Sequence, residues 1–174
     1  PEARERVKMR RGGWLSILAA VPCIALCAQT TVNIEKVFRY SAPKGYGRDD
    51  SRAAGGRIGF YVLSKDEYTT NITIRSLKTS ETSAVTFGRE ALPSLKKDPE
   101  MKILGTKTFQ VGGTEAFGIA SERQVSKTMT VDQYQVIAIR KGILAIFTFS
   151  TLKKNYAREW PMFMASLKSV RWAN

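Results

Sequence analysis

The clearest hydrophobic pattern lies near the end of the chain. Five large apolar residues recur there at alternating spacings of four and three: Tyr156, Trp160, Phe163, Leu167 and Val170. This spacing predicts a helix with one apolar side, and an aromatic stripe of this kind is typical of a buried core. Pro161 falls on the opposite side of the helix, where it removes one backbone hydrogen bond and can kink the helix.

The stretch before this helix predicts four strands joined by short turns. The first strand covers residues 101–111, and Gly112-Gly113 follows it as a turn where a positive φ costs little. The second strand covers residues 114–119, the third covers residues 129–140 and the fourth covers residues 143–149. The last of these is apolar at nearly every position, so we expect it to be covered on both faces.

The first half of the chain shows weaker patterns. Apolar residues at even spacing in residues 31–40 predict one half-buried strand. Residues 58–63 and 71–75 predict two neighbouring strands. The polar, glycine-rich residues 47–57 are expected to form a mobile loop between the first strand and the next two.

Residues 80–95 are expected to form one short or broken helix, because Gly88 and Pro93 interrupt an otherwise helical spacing. Consecutive strands joined by short turns make an antiparallel sheet, and the doubly apolar strand requires cover on each side. The sequence therefore predicts an α+β fold: an α/β/α sandwich with a central antiparallel sheet flanked by helices.

The chain begins with the pattern of a secretory signal peptide. Basic residues precede an uncharged apolar block at residues 14–28, and a polar sequence starts at Gln29. The block has about fifteen residues, whereas a membrane-spanning helix needs roughly twenty. We therefore expect a leader in residues 1–28 with Met9 as the start, one domain in residues 29–174, and a periplasmic or secreted mature protein.

Two outcomes remain open for Cys27. Cleavage after a small residue near Ala28 would remove both cysteines, and the mature chain would then have no redox chemistry. Alternatively, residues 24–27 resemble a lipobox, although Leu26 stands where a small residue is expected. Cys27 is thus a candidate lipidation site, and only its lipidation would associate the chain with a membrane.

Composition favours binding over catalysis. The chain has 28 Lys and Arg against 15 Asp and Glu, an excess that suits an anionic partner or simply a solubilising surface. Histidine is absent, which removes the commonest general base and the commonest zinc ligand. We therefore expect no enzyme, no cofactor, no metal and, without exposed aromatics among the basic residues, no nucleic-acid partner.

A few short matches to catalytic patterns are expected to be coincidental. Ser94 to Lys97 and Ser150 to Lys153 have the Ser-x-x-Lys spacing of a serine nucleophile with a lysine base. Asp49-Asp50 and Asp66-Glu67 are paired acids of the kind used in glycoside hydrolysis, but both lie in predicted polar loops. No catalytic residue is predicted.

Basic residues gather at both ends of the last helix. Lys153, Lys154 and Arg158 lie at its start, and Lys168 and Arg171 lie near its end. Together they form a candidate anion- or partner-binding face. A solvated surface is the alternative, and basic residues at a helix C-terminus also suit its dipole.

Several motifs resemble PsbP-like and DcrB-like domains. These are the aromatic-Pro-Gly turn, a following strand, a glycine-turn hairpin, an apolar strand and the closing helix: residues 40–46, 71–74, 111–117, 142–151 and 163–172. The resemblance implies an α/β/α sandwich and an export setting. Members include photosystem accessory subunits, bacterial envelope proteins and chaperones for secreted effectors, so the fold does not transfer one function.

Because histidine residues attributed to the photosynthetic members have no counterpart here, a manganese or calcium role is not expected. The sequence favours an exported non-enzymatic accessory or binding module of the cell envelope that acts by protein–protein contact. The alternative is a carrier or sensor of a small apolar or anionic ligand or lipid held between sheet and helix, with residues 47–57 as a lid.

Overall fold

A computed structural model describes residues 29–53, 55, 57–62 and 66–173. The elements appear in this order: β1 (Thr31–Ile34), β2 (Phe38–Ser41), β3 (Tyr46–Arg48), a short 3-10 helix (Asp50–Arg52), β4 (Ile58–Val62), β5 (Asn71–Lys78), α1 (Ala84–Lys96), β6 (Met101–Val111), β7 (Thr114–Ser126), β8 (Met129–Arg140), β9 (Ile143–Leu152), α2 (Lys153–Leu167) and β10 (Arg171–Trp172).

A seven-stranded antiparallel sheet forms the centre, with the strand order β3-β4-β5-β9-β8-β7-β6. Gly112-Gly113 and Lys141-Gly142 join successive strands with positive φ at both positions, the geometry that matches strand twist in two-residue turns. Helix α2 packs on one face of the sheet and α1 on the other. The predicted sandwich with a central antiparallel sheet is therefore confirmed.

The single strand predicted for residues 31–40 is wrong. Glu35 and Lys36 have φ of 46° and 62°, and the Val37 amide donates to the Ile34 carbonyl at 2.7 Å, so the chain folds back between β1 and β2. These strands form a second sheet with β10, in the order β1-β2-β10. Because Ile34 pairs with Phe38, the turn preserves the even spacing that suggested one strand.

The apolar stripe of α2 faces the central sheet, as predicted. Phe163 is fully buried and its ring stacks on Phe149 of β9, with ring centroids 5.0 Å apart. Tyr156 and Trp160 extend the aromatic contact toward the start of the helix. Pro161 is exposed, so its missing amide falls on the solvent side of α2.

Helix α1 is one continuous helix of 13 residues, which corrects the expectation of a short or broken one. The Ser83 hydroxyl caps its start by accepting from the Thr86 amide at 3.2 Å. Gly88 lies directly against the Phe117 ring, which a Cβ at this position would penetrate. The glycine that weakened the helical pattern thus allows α1 to approach the sheet, and Pro93 points to solvent.

The polar stretch predicted as a loop contains the end of β3 and the 3-10 helix. Asp49 caps this helix by accepting from the Ser51 amide at 3.1 Å. Asp50 accepts from Arg48 and from the Gly59 amide, and the Arg48 guanidinium holds the pKa of Asp50 below its usual range. These acids tie the segment to β4.

Truncating Phe163 to Ala is expected to lower the free energy of unfolding by about 3–5 kcal/mol, because the variant loses a fully buried ring and leaves a cavity. Urea denaturation followed by circular dichroism measures the change. Val125→Ala removes an exposed side chain and serves as the control, with a change within about 0.5 kcal/mol. Equal losses in the two variants would contradict the assigned core.

Candidate functional site

The basic residues at the start of α2 lie beside carboxylates. The closest atom pairs are Lys153 Nζ to Glu122 Oε1 at 3.5 Å, Lys154 Nζ to Asp66 Oδ1 at 2.7 Å and Arg158 Nε to Glu159 Oε1 at 2.7 Å. Each positive charge therefore has a negative neighbour, and the cluster carries less unbalanced charge than the sequence suggests. The assignment of these residues to an anion- or partner-binding face stays a prediction.

The acids beside these lysines compensate an unfavourable arrangement at the start of α2. Its N-cap, Leu152, provides no side-chain cap, and lysines occupy the first turn, where the helix dipole is positive. Asp66 accepts from Asn155 Nδ2 at 2.9 Å while pairing with Lys154. A neighbouring loop thus supplies the negative charge that the helix sequence lacks.

Glu159 is a buried acid that the sequence analysis did not single out. Its side chain is 4% exposed, and it accepts from Tyr46 Oη at 2.9 Å and from Arg158 Nε. Burial, followed by the charge of Glu159 and the hydrogen bond to it, raises the pKa of Tyr46 well above its usual range. A glutamate three residues after Tyr156 and four before Phe163 was the available signal, because that spacing places it on the inner side of α2.

The basic residues at the other end of α2 have a different environment. Arg171 Nη1 donates to the carbonyls of Lys168 and Val170 at 2.7 and 2.9 Å, which suits the negative end of the helix dipole. Arg171 is also the cross-strand neighbour of Arg39. Arg171 and Arg39 border an open depression of about 360 Å³ on the small sheet. A helix of 15 residues separates Lys168 and Arg171 from the basic residues at its start.

Of the remaining candidates from the sequence, Ser150 and Lys153 make local polar contacts, and Cys27 is not among the described residues. Ser150 is buried and accepts from Gln133 Nε2 at 3.0 Å, while Lys153 pairs with Glu122. Within the described ranges, no group of three or more acids and cysteines could hold a metal ion. None of the helices described is long and apolar enough to span a bilayer.

The space predicted between sheet and helix is filled by aromatic rings. Trp160 lies edge-on to Tyr134 at 4.5 Å between ring centroids, and it also packs against Phe163 at 6.0 Å. These rings continue the stack of Phe163 on Phe149. The interface of α2 with the sheet is therefore a packed core.

One edge of the central sheet is open among the described strands. β6 has eleven residues and ends the strand order, pairing with β7 alone among the described strands. Val111 and Thr114 flank a two-residue turn, so they exchange both backbone hydrogen bonds. Alternation along the ladder then directs the amides of Thr106, Thr108 and Gln110 away from β7.

Most residues of β6 are exposed, including Leu104, whose exposed fraction is 53%. A register shift between Ile103 and Gly105 interrupts the pairing with β7 near the start of the strand. The uninterrupted free edge therefore runs from Gly105 to Val111. Sequence analysis predicted β6 as a strand, but only the strand order shows that it lies at an edge.

Comparison with solved structures shows the fold class. The chain has the fold of cyanobacterial PsbP (CyanoP) from Synechocystis sp. PCC 6803, with a TM-score of 0.63, 13% identity and coverage of 90% of this chain and 99% of that one. LpqN, described as involved in cell envelope biogenesis of Mycobacterium tuberculosis, matches with a TM-score of 0.61, 13% identity and coverage of 84% and 86%.

A third match is PA94 of Pseudomonas aeruginosa, a protein of unknown function and putative regulator, with a TM-score of 0.58, 13% identity and coverage of 81% and 94%. The PsbP-like fold expected from the sequence motifs is confirmed. At these identities the likeness shows the fold alone. Neither models of protein families nor curated proteins match the sequence.

Replacing Tyr46 with Phe is expected to cost about 1.5–3 kcal/mol of stability, because Glu159 loses a donor in a buried site. Tyr40→Phe is the matched control, since Tyr40 Oη shares a hydrogen bond with neutral Ser166 and its loss costs about 0.5–1.5 kcal/mol. Chemical denaturation at pH 7 measures both. A cost for Tyr46→Phe no larger than that for Tyr40→Phe would contradict the role given to Glu159.

The Tyr46→Phe variant also reports on pH. The folded-state pKa of Tyr46 is raised, so its contribution to stability is fully present below the pKa of an unfolded tyrosine and declines above it. Native stability should thus fall as the pH rises past about 10. The fall should be shallower in Tyr46→Phe when unfolding is measured between pH 8 and 11.

Proposed function

We propose that this chain is an exported, non-enzymatic binding module of the cell envelope that acts by contact with another envelope protein. The observation that carries the proposal is the free edge of β6. An exposed edge of this length offers backbone donors and acceptors to an extended segment of a partner, which adds a strand to the sheet.

The dimensions of β6 support a specific contact. Eleven residues at about 3.3 Å each span about 35 Å. Many proteins keep their edge strands short to avoid pairing with other chains, and β6 is longer than such strands. The register shift near Ile103 and the exposed Lys102 limit indiscriminate pairing along its first half. The regular portion from Gly105 to Val111 would receive the partner.

The chemistry around this edge favours an acidic partner segment. Lys107 is exposed in the middle of the regular portion, whereas Lys102 Nζ lies 3.6 Å from Glu122 Oε2 and is partly compensated. Residues 29–174, the proposed mature domain, contain 23 Lys and Arg against 13 Asp and Glu, and this net charge of +10 steers anionic surfaces toward it. Exposed Leu104 offers an apolar contact beside these charges. An extended acidic segment with one or two apolar side chains fits these features.

Export rests on the leader pattern of residues 1–28, and the likeness to LpqN, an envelope-biogenesis protein, supports it at the level of fold. The site of action would then be periplasmic or extracellular, with residues 29–174 as the mature domain. Lipidation of Cys27 would add attachment to a membrane. Mass measurement of the processed chain decides between cleavage and lipidation.

Thr108→Pro is expected to abolish partner capture while preserving the fold, because it removes an amide directed away from β7 and leaves the β6–β7 ladder intact. Thr108→Val is the matched control, since it changes the side chain but keeps the amide donor. Crosslinking in envelope extract at low salt, followed by pull-down and mass spectrometry, measures capture, and thermal unfolding checks the fold.

Recovery of the same partner by Thr108→Pro and by the native chain would refute edge pairing. Recovery of no partner by the native chain, at low salt and after crosslinking, would refute the proposed contact with another protein.

A further inference from the structure

Helix α1 covers only part of its face of the central sheet. It packs on β6, β7 and β8, over an apolar cluster that includes Ile137 and is bordered by Ile146. Two residues further along the same face, β8 carries Gln135 and β9 carries Thr148. The change from apolar to polar side chains therefore coincides with the end of the cover provided by α1.

The uncovered part of this face is a groove of about 200 Å³ with a polar floor. Thr73 of β5 lies opposite Thr148, which in turn lies opposite Gln135. Gln135 Nε2 donates to Gln133 Oε1 at 3.3 Å, and Gln133 Nε2 donates to Ser150 Oγ at 3.0 Å. These contacts hold the amides in place, so the floor presents hydroxyl and amide groups in a fixed arrangement.

Three arginines line the groove, namely Arg57, Arg75 and Arg123. Arg123 Nη2 lies 3.8 Å from Asp98 and 3.6 Å from Glu100. For Arg57 and Arg75, no carboxylate in the described part of the chain lies within ion-pair distance. Gathering unpaired guanidinium groups around one groove is unfavourable unless an anion compensates their charge.

We propose that this groove binds the tetrahedral oxyanion of a small phosphate monoester. Guanidinium groups bind phosphate oxygens through paired N–H donors, and the threonine hydroxyls add neutral donors on the floor. Two uncompensated arginines, Arg75 on β5 and Arg57 just before β4, suit a dianion with three free oxygens better than a carboxylate with two. The volume fits a small polar group, because pockets for larger organic ligands begin at about 300 Å³.

This inference goes beyond the proposed function and is independent of it. The groove lies on the face of β5, β9 and β8, whereas the proposed partner contact uses the backbone edge of β6. It also differs from the predicted carrier role, which placed a ligand between sheet and helix. The phosphate monoester can come from a soluble metabolite or from a lipid headgroup, and the probes below separate these sources.

Isothermal titration calorimetry of the full chain at low ionic strength tests the groove with glycerol 3-phosphate, inorganic phosphate and acetate. We expect saturable binding of the phosphate probes, weakened by added NaCl, and much weaker binding of acetate. Vesicles of phosphatidylcholine with and without phosphatidic acid form the second arm. Binding of the soluble ester alone indicates a metabolite, and additional binding to phosphatidic acid vesicles indicates a lipid headgroup.

Arg75→Gln should raise the dissociation constant of glycerol 3-phosphate about tenfold, and Arg75→Lys should raise it less because the charge remains while the fork is lost. Arg39→Gln is the matched control, since Arg39 is exposed on the small sheet and borders the other arginine cluster. Arg75 is exposed, so unchanged melting temperatures should show that these variants fold. Thr108→Pro should bind the phosphate probes normally, which separates this test from that of the edge.

Three results would overturn the proposal. The first is the absence of binding by every phosphate-bearing probe at low ionic strength. The second is an equal loss in Arg39→Gln and Arg75→Gln, which would place the anion elsewhere or make the attraction nonspecific. The third is binding of acetate as tight as that of glycerol 3-phosphate, which would refute the assigned ligand class.

Discussion

Packing on both faces of β9 is the constraint on which the rest of the structure depends. Phe147 and Phe149 face the small sheet and α2, while Leu144 on the alternate face packs in the cluster beneath α1. Because β9 also pairs with β5 and β8, the same ten residues order both layers and both halves of the sheet. The open surfaces lie where this packing ends, at the edge strand β6 and beyond the end of α1.

The sequence predicts the fold correctly where apolar residues recur with one clear helical or strand spacing. The stripe through Phe163 and the apolar β9 establish a helix on a sheet, and both are confirmed. The prediction fails at the turn between β1 and β2. The turn at Glu35 and Lys36 leaves the alternation of buried and exposed residues unchanged, so two strands have the pattern of one. The prediction also underestimates α1, since the cost of Gly88 in a helix is offset by contact with Phe117, which local spacing does not reveal.

The candidate surfaces were less accessible to sequence reasoning for a topological reason. Charged residues close in the sequence, such as Lys153 and Lys154, are easily noticed, but their carboxylate partners come from distant elements and reduce their net charge. Conversely, Arg75 and Arg123 are far apart in the sequence and border one groove only because β9 and β8 lie between β5 and β7. The hydrophobic pattern does not encode the strand order, which determines which acids lie beside these lysines and which arginines border the same groove.

The small sheet has a consequence for how the molecule assembles. β2 pairs with β10, and Ser41 donates its amide to Ser169, so this layer joins segments from opposite ends of the described chain. Contacts so distant in sequence carry a high loop-closure entropy and form slowly. Trp172, which packs on Phe38, can reach its place only after all the residues between them have been synthesised. Closure of this layer is thus expected late in folding, after the central sheet has brought the two segments together.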